Sequence, residues 1–211
     1  MIFRDLKKIW GFKMSENVDV RDSSFINKIL QYEKENLDSE RFEHCQRVAE
    51  TAKVLCRKFG LDEKKGYSCG LAHDMCKRLS DAQFLTLAAC DGYEISESEK
   101  EKPSLLHGRA AAVLLKNSFG VEDQEYLDAI AWHTYGKKDL TDLGLVIFAA
   151  DKIEPGRENM TKELYEEMLN LSLKDLCIRI VKENMEYLKE KKCRVSKETL
   201  EFLTVLEGRK D

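Results

Sequence analysis

The apolar residues of the chain recur every three or four positions, which is the spacing of an amphipathic helix. The segment from Ser39 to Phe59 shows this spacing clearly, with apolar residues at Phe42, Cys45, Val48, Ala52, Leu55 and Phe59. Asp38 or Ser39 can cap the start of the segment, and Gly60 can end it. The pattern therefore predicts a helix with these bounds.

The same order of a capping residue, an apolar periodicity and a terminating residue returns along the rest of the chain. It predicts further helices from Ser80 to about Gly92, Leu106 to Gly120, Glu122 to about Gly136, Thr141 to Pro155, Thr161 to Leu171, Ser172 to Lys191 and Ser196 to Gly208. No segment alternates polar and apolar residues for long enough to predict a strand. We interpret the run LGLVIFAA as a buried helix, and the charged segment SESEKEKP as a solvated, mobile connection.

These signals predict an all-α protein with a single domain. We expect residues 22–211 to form this helical bundle and residues 1–21 to be a loosely attached, poorly ordered N-terminal extension. A length of 211 residues suits one large domain, and 43% hydrophobic with 35% charged residues suits a buried core beneath a solvated surface. The opening segment MIFRDLKKIWGFKM is interrupted by charges too often for a signal peptide.

The net charge of −4 argues against a nucleic-acid or membrane partner, because no overall positive field attracts polyanions. No apolar run approaches the roughly 20 residues that span a bilayer. The seven cysteines form no CxxC pair, and we expect them to be small buried residues of a cytoplasmic protein. A phosphate-bearing ligand must therefore be held by local cations or by a metal ion.

The candidate chemistry lies in four histidines and two aspartates, in the order His44, His73, Asp74, His107, His133 and Asp151. Each histidine adjoins small or apolar residues on a predicted helix, where a neutral imidazole can reach a metal ion. The first two histidines and both aspartates make a mixed nitrogen and oxygen site that suits Fe, Mn, Co or Zn better than Mg. Such a set leaves coordination positions open for water and a phosphate oxygen, so it predicts a catalytic ion.

The other two histidines, His107 and His133, have three interpretations. They can hold a second metal ion, donate hydrogen bonds to a substrate phosphate, or be hydrogen-bonded histidines of the core. Lys77 lies one helical turn beyond Asp74, so it can neutralise a phosphate in the same cavity or be a surface lysine.

Three more side chains are candidates for phosphate contacts. Arg157 ends the segment EPGR, a rigid turn where its guanidinium can pair with a polyphosphate or stay exposed. Arg41 lies one turn before the first histidine, and Thr134 can offer a hydroxyl or cap a helix end. Cys45 and Cys76 adjoin candidate ligands and are alternative soft ligands for the metal.

The segments RFEH, GLAHDMCK, LLHG, AIAWHTYG and ADKIEPGR resemble the HD-domain metal-dependent phosphohydrolases, in particular their YqeK-type branch. The resemblance runs from about Arg41 to the final helix. It implies a symmetrical diadenosine tetraphosphate hydrolase that releases two molecules of ADP and forms a homodimer. Ala72 departs from the family pattern, which usually has a larger aliphatic residue there, and the first two dozen residues have no counterpart.

The resemblance also implies a role for individual residues. An iron-like ion is expected at His44, His73, Asp74 and Asp151. Catalytic roles are expected for Asp74, Lys77, His107 and His133. The nucleotide phosphates are expected beside Arg41, Asp74, Lys77, His107, His133, Thr134, Asp151 and Arg157. The base and ribose are expected beside Arg194, Val195, Ser196, Lys197, Glu198 and Thr199.

Two other functions remain open at the level of sequence. An HD-type site can serve a nucleotidase or phosphodiesterase that acts on another nucleotide, because a fold does not fix a substrate. The chain can also be a nucleotide sensor without efficient turnover. The complete set of metal ligands favours an enzyme, since a sensor has less need of an open coordination position.

Overall fold

A computed structural model describes residues 18–209 of the chain. Over this range it contains eleven α-helices, which we number α1 (Ser23–Asn36), α2 (Ser39–Lys58), α3 (Glu63–Ala72), α4 (Asp81–Ala88), α5 (Glu97–Glu101), α6 (His107–Phe119), α7 (Gln124–Ala131), α8 (Asp142–Ile153), α9 (Lys162–Asn170), α10 (Leu173–Glu190) and α11 (Lys197–Gly208). A 3₁₀ turn, Pro103–Leu106, leads into α6. No strand occurs between residues 18 and 209, so the prediction of an all-α fold is confirmed.

The helices begin where the sequence places capping residues. The Asp38 side chain accepts a hydrogen bond from the Arg41 backbone N–H at the start of α2. Thr141, Ser172 and Ser196 act in the same way at α8, α10 and α11, which satisfies one orphan backbone donor in each first turn. The run LGLVIFAA lies inside α8 and is buried along its whole length, as predicted.

Two predicted helices are shorter than their pattern indicated. Helix α4 ends at Ala88 rather than near Gly92, and α7 ends at Ala131 rather than near Gly136. Residues 132–135 form a turn, because the chain leaves the helical axis there to bring His133 inward. Element ends are the weakest part of any pattern-based prediction, since a local cap competes with tertiary contacts.

The prediction of a mobile connection at SESEKEKP is wrong. Ser96 and Glu99 form a capping box that starts the short helix α5. The Glu99 carboxylate is buried and pairs with Arg109 at 3.1 Å, while it also accepts a hydrogen bond from the Tyr135 hydroxyl. Arg109 itself is 1% exposed and also pairs with Asp91. A charged run that supplies a partner for a buried guanidinium becomes ordered because an unpaired buried charge costs several kcal/mol.

Two glycines allow the helices that carry the histidines to approach closely. A Cβ at Gly70 in α3 would lie 2.7 Å from the Cα of Ala49 in α2. A Cβ at Gly108 in α6 would lie 2.6 Å from the carbonyl oxygen of Ile130 in α7. Both distances are shorter than van der Waals contact, so a side chain would push the helices apart. Backbone packing of α2 on α3, and of α6 on α7, therefore sets the positions of the four histidines.

Helix α1 buries a carboxyl group beneath this bundle. Glu33 is 0% exposed, and neither of its carboxyl oxygens accepts an N–H or O–H hydrogen bond from the described residues. Burial raises the pKa of Glu33 to about 8, although the neighbouring Cys45 thiol lowers it. The carboxyl group is therefore neutral at physiological pH.

The cysteines are all free, and five of the seven are buried as expected. Cys90 and Cys193 are exposed, which the expectation did not include. Among the described residues, no helix has the length and apolar character needed to cross a membrane. Residues 1–17 of the predicted extension lie outside the described part of the chain. The Val18 N–H donates to the Gly120 carbonyl, and Val20 is buried, so the packed structure includes residues before α1.

Candidate metal centre and phosphate site

His44, His73 and Asp151 meet at one buried centre although they come from three distant elements. His44 lies in α2, His73 follows the last residue of α3, and Asp151 lies in α8. The Nε2 atoms of His44 and His73 lie 3.1 and 3.7 Å from Asp151 Oδ1. The three ligand atoms fall within 4.8 Å of one another, which is compact enough for a single ion to contact them all.

Asp74 connects this group with the second pair of histidines. Its Oδ2 lies 3.7 Å from His73 Nε2 and 3.9 Å from His44 Nε2. Its Oδ1 lies 3.0 Å from His107 Nε2 and 3.6 Å from His133 Nε2. A second compact group of possible ligands is thereby formed by His73, Asp74 and His133.

All four imidazoles are oriented by the nitrogen that faces away from the centre. His44 Nδ1 lies 3.0 Å from Glu154 Oε1, and His73 Nδ1 lies 2.6 Å from the Gly70 carbonyl oxygen. The Nδ1 atoms of His107 and His133 each lie 2.7 Å from a carbonyl oxygen, that of Ser104 and that of Ile130, respectively. Because these partners accept hydrogen bonds, each Nδ1 carries a proton, and each Nε2 is the nitrogen that is left to ligate a metal ion. Imidazole nitrogens that are oriented in this way are typical of metal sites.

Buried polar atoms that have no hydrogen-bond partner among residues 18–209 mark the same place. They are His44 Nε2, His73 Nε2 and Asp74 Oδ1. Such atoms are rare in folded proteins, because each costs the free energy of its lost hydration. The donor set of imidazole nitrogen and carboxylate oxygen therefore fits a divalent transition metal.

Glu154 is the carboxylate behind His44, and the sequence analysis did not select it. It is 1% exposed and accepts hydrogen bonds from His44 Nδ1, from Arg47 Nε at 2.6 Å and from the Gly156 N–H at 2.6 Å. Burial alone would raise its pKa, but the His44 and Arg47 contacts hold the pKa of Glu154 at about 2. An ionised carboxylate on Nδ1 increases the basicity of Nε2, so Glu154 makes His44 a better candidate for a metal ligand.

Cations surround the two aspartates. Arg41 lies 2.8 Å from Asp74 Oδ2, and Lys77 Nζ lies 3.4 Å from Asp74 Oδ1. Although burial raises it, the pKa of Asp74 is held well below its usual range by His73 and His107. Both lysine and arginine are about one-third exposed, so they can also reach a ligand in the opening.

Asp151 is surrounded in the same way. Arg157 and Lys152 contact its two carboxylate oxygens, each at 2.5 Å. Burial raises the pKa of Asp151, but the charge of Lys152 and the contacts with His44 and His73 bring it well below its usual range. Arg157 also donates two hydrogen bonds to the Asp151 backbone carbonyl, which fixes its guanidinium beside the centre.

His107 and His133 form a pair whose Nε2 atoms are 3.0 Å apart. Lys77 Nζ lies 3.0 Å and Thr134 Oγ1 3.3 Å from His107 Nε2, so both can donate to it. Burial lowers the pKa of His133 to about 3, which keeps its imidazole neutral. Two imidazole nitrogens so close together need a shared cation or donor between them, and this supports either a second metal or a phosphate contact.

The structure differs from the expectation of helical histidines in one detail of the site. His73 and His133 do not lie within helices, but in turns that start where α3 and α7 end, at Ala72 and Ala131. The turns direct each imidazole inward across a helix end. Cys45 and Cys76 belong to neither group of possible metal ligands among the described residues.

The segment from Arg194 to Thr199 lies beside the site without entering the metal centre. Ser196 caps α11, and Thr199 Oγ1 donates to the Tyr135 carbonyl at 3.4 Å. Tyr135 follows Thr134 directly, so the segment adjoins the turn that carries His133. Its predicted nucleoside contacts stay a prediction.

The sequence analysis missed Glu154, Lys152 and Arg47 as members of the site. Glu154 stands in the segment EPGR that was selected for its arginine, and Lys152 follows Asp151 directly. The one sequence feature that could have indicated these residues is that they stand next to candidate site residues. Which way these side chains turn depends on the packing of α8 against α2, which no local pattern shows.

Comparison with known proteins agrees with this geometry. The family model of the HD domain matches residues 41–156. A symmetrical bis(5'-nucleosyl)-tetraphosphatase of Bacillus subtilis is 31% identical over 171 residues, which cover 81% of this chain and 90% of that protein. A probable nicotinate-nucleotide adenylyltransferase/Ap4A hydrolase of Mycoplasma genitalium is 35% identical over 125 residues. These cover 59% of this chain and 35% of that protein, so the chain spans about a third of this relative.

A solved structure is similar over most of the chain. It is a predicted HD superfamily hydrolase involved in NAD metabolism from Clostridium acetobutylicum, with a TM-score of 0.80 and 30% sequence identity. The match covers 87% of this chain and 97% of that one. HD domains are metal-dependent, in agreement with the buried histidines and aspartates described above. The chain therefore belongs to the HD-domain family, in the branch that contains the symmetrical bis(5'-nucleosyl)-tetraphosphatases.

Proposed function

We propose that the protein is a metal-dependent hydrolase that cleaves diadenosine tetraphosphate symmetrically into two molecules of ADP. The observation that carries the proposal is one buried centre where four imidazole nitrogens and two aspartates converge beneath a ring of partly exposed cations. The relative from Bacillus subtilis, which this chain matches over most of its length, is a symmetrical bis(5'-nucleosyl)-tetraphosphatase.

The charges around the centre suit a polyphosphate. The cations are Arg41, Arg47, Lys77, Lys152 and Arg157, and the carboxylates are Asp74, Asp151 and Glu154. Positive charge is in excess by two before any metal binds. A divalent ion doubles that excess. The total positive charge then matches the total negative charge of the dinucleotide, which carries one negative charge on each of its four phosphoryl groups. Complementary charge of this kind favours a substrate with several phosphates over a phosphomonoester.

We assign the metal to His44, His73, Asp74 and Asp151, with iron as the proposed ion and Mn, Co or Zn compatible with the same ligands. When bound, such an ion lowers the pKa of a coordinated water molecule and polarises a phosphoryl oxygen. A second ion near His107 and His133 is compatible with the His73, Asp74 and His133 group.

The side chains around the centre then share the remaining tasks. Asp74 orients the attacking water, since its carboxylate reaches both groups of imidazoles. Lys77, His107 and His133 offset the negative charge that develops on non-bridging and leaving oxygens. Because ADP is a good leaving group, no strong general acid is needed.

Substrate positioning falls to residues at the opening. Arg41, Arg157 and Thr134 bind the phosphates, and the segment from Arg194 to Thr199 borders the base and ribose. We also propose that the protein is a cytoplasmic homodimer with no nucleic-acid or membrane partner.

The test is to incubate the purified protein with diadenosine tetraphosphate and Fe, Mn, Co or Zn, and to resolve the products by chromatography. ADP as the sole product would support attack at an inner phosphorus. AMP with ATP would overturn the symmetrical assignment, and release of inorganic phosphate would indicate a nucleotidase. Bound nucleotide without cleavage under any metal would indicate a sensor. An Asp151→Ala variant is the matched negative control.

A further inference from the structure

One cation of the ring, Lys152, has a distinct position at the end of α8. Its ammonium lies against Asp151 Oδ2, and it also lies 5.6 Å from the centre of the Phe148 ring, one helical turn earlier. The side chain is 22% exposed, so most of it is covered but solvent still reaches it. The Phe148 contact and the carboxylate together hold the ammonium at the centre rather than in solvent.

Lys152 shares the opening with two cations that are candidates for phosphate binding. Its charge and that of Arg41 both act on the ammonium of Lys77 across the centre. Three positive groups at one opening repel one another, and this repulsion is relieved when an anion binds between them. The position therefore favours a ligand with more than one negative charge.

The partners of Lys152 and Arg157 differ in a way that matters for their roles. Arg157 is anchored to the backbone carbonyl of Asp151 as well as to its carboxylate. Lys152 contacts the carboxylate at Oδ2. A divalent cation that ligates Asp151 competes directly with the Lys152 ammonium for this carboxylate, whereas Arg157 keeps its backbone contacts.

We propose that Lys152 is a further substrate-binding residue, whose ammonium pairs with a phosphoryl oxygen of the dinucleotide when the Asp151 carboxylate is shared with the metal. This inference rests on the proposed function, since it assigns the lysine to the same polyphosphate. It also gives Lys152 two opposite effects: it weakens metal binding and strengthens nucleotide binding. A lysine that merely supports the fold would affect both in the same direction.

The experiment compares Lys152→Met and Lys152→Arg with the unchanged protein. Methionine keeps an unbranched stem over Phe148 but removes the charge. Lys162→Met is the matched control, because Lys162 is 83% exposed on α9 and lies 3.9 Å from Glu166. Mn²⁺ binding to chelator-treated protein is measured by calorimetry. ADP binding and the kcat and KM for diadenosine tetraphosphate are then measured at saturating Mn²⁺.

We expect Lys152→Met to bind Mn²⁺ several-fold more tightly, while the Kd for ADP and the KM for the dinucleotide rise about tenfold, as for the loss of one charge-assisted contact. Lys152→Arg should restore most of the nucleotide affinity, and Lys162→Met should change neither quantity.

Two results would overturn the inference. If Lys152→Met leaves ADP affinity and KM unchanged at saturating Mn²⁺, the lysine serves only to complement the C-terminal end of α8. If the variant weakens Mn²⁺ and nucleotide together, its role is structural. Should the unchanged protein bind nucleotide without hydrolysing the dinucleotide, the proposed function fails. The Mn²⁺ and ADP titrations would then still decide the role of Lys152.

Discussion

Replacement of Glu33 by glutamine should stabilise the protein at neutral pH, and by less as the pH falls. Glu33 is buried in α1, and its pKa is raised from 4.5 to about 8. A raised pKa means that the contribution of this carboxyl to stability is fully present below pH 4.5. It is lost as the pH rises through about 8, because the unfolded chain ionises first.

The expected size of the effect follows from this shift. One pKa unit corresponds to about 1.4 kcal/mol. At pH 7, about 2.5 units above the ordinary pKa of 4.5, keeping the buried carboxyl protonated therefore costs about 3 kcal/mol. Glutamine has nearly the same shape and does not titrate, so its variant escapes this cost.

The assay is thermal or urea unfolding of chelator-treated protein at about pH 5 and about pH 7.5. The stability difference between Glu33→Gln and the unchanged protein should widen by about 3 kcal/mol between these pH values. For a domain of this size, this corresponds to a change of about 6–12 °C in the difference between their Tm values. Glu166→Gln, at an exposed position of α9, is the matched control.

A constant difference across this pH range would refute the reasoning. It would mean that Glu33 is ionised in the folded protein, or that water reaches it, so that burial does not control its protonation. A Glu33→Gln variant that is less stable by a constant amount would point instead to the Cys45 thiol as a partner that the amide cannot replace.

Three further predictions concern the metal centre. Asp151→Ala should abolish turnover while circular dichroism and Tm show a folded protein. Treatment with a chelator should also abolish activity until a divalent ion is restored. Full activity of a folded, metal-free protein would contradict the proposed metal-dependent hydrolysis. Glu154→Gln should weaken Mn²⁺ binding about tenfold or more by calorimetry, since His44 loses its ionised partner, and unchanged affinity would remove Glu154 from the site. Gly108→Ala should lower kcat and stability together, because its Cβ would lie 2.6 Å from the Ile130 carbonyl and 3.0 Å from His133 Nδ1; activity equal to that of the unchanged protein would show that α6 can shift without cost.

The helices were predictable because their signals are local. A capping side chain such as Asp38 bonds to backbone groups two or three residues away, so the sequence alone contains both partners. The cluster of candidate metal ligands was predictable for another reason: few residue types bind transition metals, and this chain has four histidines. The structure brings all four to one centre.

The parts that escaped prediction depend on contacts between distant segments. Glu99 looks like a solvated residue in a charged run, and it is buried because Arg109 and Tyr135 reach it from other elements. Glu154 and Lys152 belong to the site because α8 packs beside α2, which sets the directions of their side chains. Burial of a charge is decided by its partners, and a sequence pattern shows one partner at a time.

The buried guanidinium of Arg109 has an evolutionary consequence. It is held by Asp91 and Glu99 and by two backbone carbonyls, and it lies against the rings of Tyr93 and Trp132. Loss of one charged member leaves an uncompensated charge in the interior, so each single substitution that removes a charge at these positions should destabilise the protein. Descendants of this sequence should therefore keep the arginine and its two acids together or exchange all three for apolar residues. Substitutions at the three positions are then expected to be correlated.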